Sequence, residues 1–312
     1  MLAEQSGYTI AVVGKTKNDS FYEQSHQGCL AYAKGHKEVR CVYDGSLDYQ
    51  DVRTQVLVIN ELLEEGFDGL LVSTTDSNYL VEGSLKALAE KNIPVITFDS
   101  DLLPEHQAYR LAYVGTNNLD FGKALGNAAK PYKTLHPQPI CIQSGHRTTP
   151  NLNARIAGVR LALSGQSETR LDGRSGWIEH ARCPVYNMGK RYDAVDQLIT
   201  ILGNEPPPIF IAVAGFAQFH PRYIETMSVF RPLIKRQKVV IISADTESIQ
   251  LRALNRGLST VNIGQRPYEM GRQATALMHR YLTTGKKPEQ SHYYLDYHYC
   301  TEENAQTCTT SR

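Results

Sequence analysis

Long apolar runs, a charge imbalance and closely paired cysteines are all missing from this 312-residue sequence. No apolar stretch approaches the roughly 18 residues that a membrane-spanning helix needs. Lys and Arg total 33 against 32 Asp and Glu, so no basic excess points to nucleic acid and no acidic tail is present. The six cysteines (Cys29, Cys41, Cys141, Cys183, Cys300, Cys308) form no CxxC pair and fit neither a zinc nor a thioredoxin spacing. There is no Walker loop and no GxGxxG. Gly115, Gly122 and Gly126 form a loose set that suits helix packing better than a phosphate cradle. No GxSxG elbow occurs, and Ser144 and His146 after a strand have no third orienting group. His292, His298, Cys300 and Cys308 match no standard metal-ligand pattern. These gaps argue against an enzyme and call for no cofactor and no metal.

What the chain does have is the composition of an ordinary globular protein, 41% apolar and 21% charged. Its length suggests two domains of roughly 100–200 residues, each large enough for a core. Cys29, Cys41, Cys141 and Cys183 lie in apolar segments and read as core residues. Cys300 and Cys308 sit in a polar tail, where a disulfide could close a small loop in an oxidising compartment. The opening residues, Met1 to Gln5, carry neither a basic n-region nor an apolar h-region.

Short apolar runs and helical patterns alternate along the chain. Strands are predicted at 8–13, 39–43, 69–73 and 93–98, with helices around 21–32, 52–65 and 80–91 between them. The rhythm restarts with strands at 112–115, 139–143, 177–178, 209–214, 239–243 and 260–264. Helices are predicted at 118–130, 154–163, 192–202, 223–235, 248–255 and 268–282. An aromatic edge strand is expected at 292–297. Strands that alternate with helices imply parallel sheets, hence an α/β protein of two doubly wound lobes in tandem. Ligands bind such sheets outside the carboxyl ends of the strands.

Those strand ends carry a set of polar and aromatic residues. Asp99 and Asp245 each end an apolar run, Asp19, Phe21 and Tyr22 follow the first strand, Arg155 opens a helix and Gln265 follows the strand at 260–264. A carboxylate can accept two adjacent hydroxyls, Arg offers donors in a fixed fork, and an aromatic ring can cover the C–H face of a sugar. Taken singly, each residue has an ordinary structural reading: an Asp as helix N-cap, the Arg as a surface ion pair, the Phe as core. Their joint placement at one edge of two lobes raises the binding reading.

Residues 18–22, 73–77, 93–99, 113–118, 153–158 and 263–271 together resemble the type I periplasmic binding proteins, especially the ribose-binding branch, whose fold is shared with lac-repressor-type effector domains. The resemblance runs from about residue 8 to 282. It implies two Rossmann-like lobes joined by a hinge crossed three times, near Thr116, Gln265 and Tyr293. The lobes would be 7–116 with 266–292, and 117–265 with 293–312. It also implies a ligand-binding set of Asp19, Phe21, Tyr22, Asp99, Arg155, Asp245 and Gln265. The expected function is periplasmic capture of a small polar, sugar-like ligand by hinge closure, with delivery to an ABC importer and with any leader peptide already removed. The alternative is a sensor component that presents its bound form to a receptor or histidine kinase. An effector domain of a transcription factor would need a DNA-binding segment before Tyr8.

Two departures from the sugar-binding pattern bear on the ligand. Gly215, Phe216, Ala217 and Gln218 stand where an Asn-Asp pair is usual, and Ser100 stands where many ribose binders have Arg. Both favour a modified sugar or a ligand with an apolar or planar portion. Trp177 is either a stacking residue for it or a core residue.

Overall fold

The computed structural model describes residues 7–47, 49–166 and 168–308. The first lobe begins with β1 (Tyr8–Val13), α1 (Ser20–Ala33), β2 (Val39–Asp44), α2 (Val52–Glu65) and β3 (Gly69–Val72). A helix in three pieces follows: α3 (Ser77–Leu80), a π-helical turn (Val81–Leu85) and α4 (Lys86–Glu90). Then come β4 (Val95–Phe98) and β5 (Ala112–Gly115). The chain next builds the second lobe from α5 (Asn118–Ala129), β6 (Gln138–Ser144), α6 (Pro150–Ser164), β7 (Trp177–Glu179), β8 (Val185–Tyr186), α7 (Arg191–Leu202) and β9 (Ile209–Ala212). It continues through α8 (Tyr223–Met227), α9 (Arg231–Lys235), β10 (Ile241–Ala244), α10 (Ser248–Asn255) and β11 (Val261–Gly264). Helix α11 (Pro267–Thr284) and β12 (His292–Tyr294) return to the first lobe, and β13 (His298–Cys300) closes the second.

The first sheet has the order β2-β1-β3-β4-β5-β12 and is parallel throughout. The second has the order β7-β6-β9-β10-β11-β13, with β8 also on β6; only β13 runs antiparallel. Strands β1, β3, β4 and β9 to β11 are short and almost wholly buried because helices cover both faces.

Two differences from the sequence reading concern the C-terminal edge strand and the cysteines. The single edge strand expected at 292–297 is two strands. Tyr293 and Tyr294 pair with β5 in the first sheet, and the chain crosses to the second sheet only after them. Of the four cysteines read as core residues, Cys29, Cys141 and Cys183 are buried and Cys41 is partly buried against the core, and all four are paired: Cys29 joins Cys41 and Cys141 joins Cys183. Cys300 joins Cys308, as the tail suggested. That bond withdraws both sulfurs from any metal set with His298, while His292 turns instead to Arg110 and Asp101.

Glycine settles how the helices dock. On α6, a Cβ at Gly158 would lie 2.2 Å from the Leu119 carbonyl oxygen. On α5, one at Gly122 would lie 2.2 Å from that of Arg155. No side chain fits either gap, so the α5–α6 contact is backbone to backbone and holds Arg155 close against α5.

Candidate functional site

The carboxyl ends of the two sheets face each other across a narrow cleft. All seven residues singled out in the sequence line it: Asp19, Phe21, Tyr22, Asp99, Arg155, Asp245 and Gln265. Lys15, Gln50, Asn151, Leu152, Phe216 and Phe219 line it as well.

Asp99 and Asp245 occupy matching positions. Each follows the last residue of a central strand, β4 or β10, and each has a left-handed backbone, with φ of 58° and 72°. Each donates its N–H to the neighbouring strand, Asp99 to the Val114 oxygen at 3.2 Å and Asp245 to that of Ile263 at 2.7 Å. A non-glycine residue rarely adopts this conformation, although Asp tolerates it better than most. Such local strain tends to gather where a fold must aim a functional group.

Asp99 is the hub of the cleft. Its Oδ2 accepts from Lys15 Nζ (3.1 Å), Tyr22 Oη (3.0 Å) and Ser73 Oγ (2.8 Å). Its Oδ1 accepts from Asn151 Nδ2 (3.1 Å) and faces Arg155 Nη2 at 3.5 Å. Burial by itself would push this carboxyl up. Lys15 and Arg155 outweigh burial and hold it below the usual carboxylate range. The same burial pulls the Lys15 ammonium down, against the opposing pull of Asp99.

Arg155 is held on every side. Its Nε donates to Asn118 Oδ1 (2.8 Å), Nη1 to the Val213 oxygen (2.9 Å) and Nη2 to Gln265 Oε1 (2.9 Å), and the guanidinium lies 4.8 Å from the centre of the Phe121 ring. Gln265 also accepts from Thr116 Oγ1 (2.9 Å) and donates to Asp245 Oδ1 (2.8 Å). Thr116 and Gln265 stand at the first two passages between the sheets, so one chain of hydrogen bonds links the crossing segments to a cleft carboxylate. Burial raises the Asp245 carboxyl, and Arg155 and Gln265 oppose it only in part.

Asp19 does two things at once. It caps α1 by accepting from the Phe21 N–H at 3.0 Å, and it lines the cleft with Arg191 at 3.7 Å. Burial pushes its carboxyl up to about 6. Tyr22 is anchored through its hydroxyl to Asp99, and its ring meets Phe21 and Phe98 edge-on at 5.4 and 6.2 Å. Phe216 and Phe219 come from the second lobe, in the segment where the usual polar pair is replaced. Gln218 turns away into a buried network with Gln250, Ser259 and Asn262.

The lobes touch across the cleft. Lys15 Nζ donates to Asn151 Oδ1 at 2.9 Å, Gln50 N–H to the Met188 oxygen at 3.0 Å, and Gln24 to Glu247. The molecule is therefore closed. Trp177 lies outside the cleft, packed in the core of the second lobe under Lys133. His146 pairs with Thr148, and the Ser144 hydroxyl has no hydrogen-bond partner, so they form no catalytic pair.

Two doubly wound lobes closed over a charged cleft define a two-lobed, type I binding protein. The chain belongs to that family: a family model described as "periplasmic binding protein domain" matches residues 10–287. A "D-ribose/D-allose-binding protein" of Pseudomonas aeruginosa is 28% identical over 172 residues, 54% of this chain and 53% of that one. The match thus spans about half the length of this curated relative. Among solved structures, an ABC transporter solute-binding protein of Burkholderia graminis in complex with D-arabinose superposes with a TM-score of 0.81, at 20% identity, over 99% of this chain and 100% of that one. One from Agrobacterium vitis with bound D-fucose gives 0.80 at 20% identity, over 95% and 96%. One from Actinobacillus succinogenes with bound D-allose gives 0.75 at 17%, over 96% and 100%. These likenesses establish the fold. Among the described residues, no helix is long and apolar enough to cross a membrane.

Proposed function

We propose that this chain is a periplasmic solute-binding protein that traps a small polyhydroxylated ligand between its lobes and delivers it to an ABC importer. The observation that carries this is the pair of left-handed carboxylates, Asp99 and Asp245, facing one cleft with the Arg155 fork between them. Paired carboxylates and a guanidinium suit a ring of vicinal hydroxyls. Asp19, Gln265 and Lys15 extend the polar set, while Phe21 and Tyr22 cover one side. Phe216 and Phe219 add apolar wall, which favours a deoxy or otherwise modified sugar over a fully hydroxylated one.

Binding works by hinge motion in this reading, with no bond broken. Residues 7–116 with 266–294 move against 117–265 with 298–308. Asp99 already has five donors around it, so the ligand's hydroxyls take over the contacts now made by Lys15 and Asn151. A periplasmic location is in keeping with the family and suits three disulfides. The names of the similar solved proteins, ABC transporter solute-binding proteins, support delivery to an importer over presentation to a receptor or kinase.

Titration calorimetry with D-ribose, D-allose, D-arabinose, D-fucose and myo-inositol tests the reading. Saturable 1:1 binding of at least one supports it; flat traces for all of them and for their deoxy and acylated derivatives overturn it.

A further inference from the structure

The cleft lies at the carboxyl ends of the strands. A second cluster of polar side chains sits at the opposite pole of the first lobe, where α1 ends, β2 begins and α11 passes over both. Six-residue strands separate the two poles by roughly 20 Å.

His279 of α11 is 7% exposed, and its Nε2 makes no well-aligned hydrogen bond, only an ion-pair contact with the Glu38 carboxylate. A buried ring nitrogen without a well-aligned partner is under-satisfied, which a bound cation would relieve. The atoms in front of it are ligand atoms: Glu38 Oε1 at 3.2 Å, with His36 Nδ1 3.6 Å from that same oxygen. All three lie within 4.8 Å of one another. Zinc–nitrogen and zinc–oxygen bonds of about 2.0–2.1 Å at tetrahedral angles place neighbouring ligand atoms about 3.3–3.5 Å apart. Two imidazoles and a carboxylate are a donor set suited to zinc.

We propose that His36, Glu38 and His279 form a zinc-type divalent-cation site on the pole of the first lobe opposite the cleft, with a fourth position open to water.

The surroundings are built to hold it. Tyr32 Oη lies 3.1 Å from His279 Nδ1. Accepting the Nδ1 proton there leaves the Nε2 lone pair facing Glu38, the outer-shell arrangement that orients metal-bound histidines. The turn bearing the other two ligands is fixed through its backbone. The His36 carbonyl accepts from the Val39 N–H at 2.9 Å and the Glu38 carbonyl from Tyr8 at 2.6 Å. The Cys29–Cys41 disulfide clamps α1 to β2 beside it. Half-exposed His36 and Glu38 leave the ion an entry path. His279 lies far along the chain from His36 and Glu38, so no sequence spacing announces the three together.

Titration of ZnCl2 into the tag-free, chelator-stripped full chain tests the site. One equivalent should bind. Affinity should fall at least tenfold in His36→Asn and in His279→Gln, and about tenfold in Tyr32→Phe, while ligand binding in the cleft stays unchanged. His279 is buried and its variant could fail to fold, whereas His36 is half-exposed and its variant carries the test alone. No saturable zinc binding by the wild type, or equal affinity in His36→Asn, overturns the proposal.

Discussion

Arg155 and Asp99 meet across the cleft, Nη2 3.5 Å from Oδ1, with both side chains buried and each lobe supplying one partner. It places the fork of one lobe against the carboxylate of the other. Replacing Asp99 by Asn keeps the left-handed backbone, which Asn tolerates, but removes the charge. Lys15 and Arg155 are then left buried beside a neutral amide. Asp99→Asn is expected to weaken ligand binding about 100-fold, or about 2.7 kcal/mol, as read by calorimetry. Circular dichroism checks that the variant is folded.

Lys15 holds Asp99 ionised from the other side. In Lys15→Met the carboxyl keeps Arg155 but loses its nearest cation, so its pKa rises. Binding that needs the carboxylate is then lost at a higher pH on acidification than in the wild type. Affinities measured between about pH 4 and pH 7 should show the variant's fall displaced upward.

Glu247 and Asp19 make stability depend on pH in the unusual direction. Burial pushes them up to about 8 and about 6, from ordinary values of 4.5 and 3.8. A carboxyl with a raised folded pKa binds its proton more tightly folded than unfolded. Its contribution is complete below the unfolded value and is lost as pH rises through the folded one. Tm should therefore decline between about pH 5 and pH 8, and Glu247→Gln should flatten most of that slope. Gln can still accept the N–H bond that Glu247 accepts in the α10 capping box.

The disulfides close loops of different size, with sequence separations of 12 for Cys29–Cys41 and 42 for Cys141–Cys183. In the chain-entropy account these stabilise by about 3 and about 4 kcal/mol. Denaturant melts of the two double Cys→Ala variants should rank them in that order, the 141/183 pair costing more.

The alternating pattern of apolar runs and helical faces made the two-lobed fold legible, because each buried parallel strand reads as a short apolar run that a glycine or polar residue stops. Most of the seven cleft residues were legible for a related reason: strand ends are marked in the sequence, and the fold brings strand ends together, whereas Arg155 lies in the second turn of α6 rather than opening it. Lys15 was not legible. It follows Gly14 at the end of the first strand with no motif to single it out, and only the tertiary structure buries it against Asp99. Asn151 was missed because the helix expected from 154 begins at Pro150 and carries Asn151 in its first turn, and Phe219 because its role depends on which way a loop turns. The Cys29–Cys41 and Cys141–Cys183 pairs join a helix to a strand and a strand to a loop, so no local spacing announced them. The turn of chain at 295–297, which moves from one sheet edge to the other, was hidden by an aromatic run that continues through it.

The central claim is that the closed cleft holds a small polyhydroxylated ligand. Native mass spectrometry of the purified protein, before and after partial unfolding and dialysis, tests it most directly, because closure buries the ligand and slows its escape. The account predicts a releasable adduct of about sugar mass on the wild type that is absent from Asp99→Asn. No adduct, together with no thermal shift across a monosaccharide panel, would contradict it.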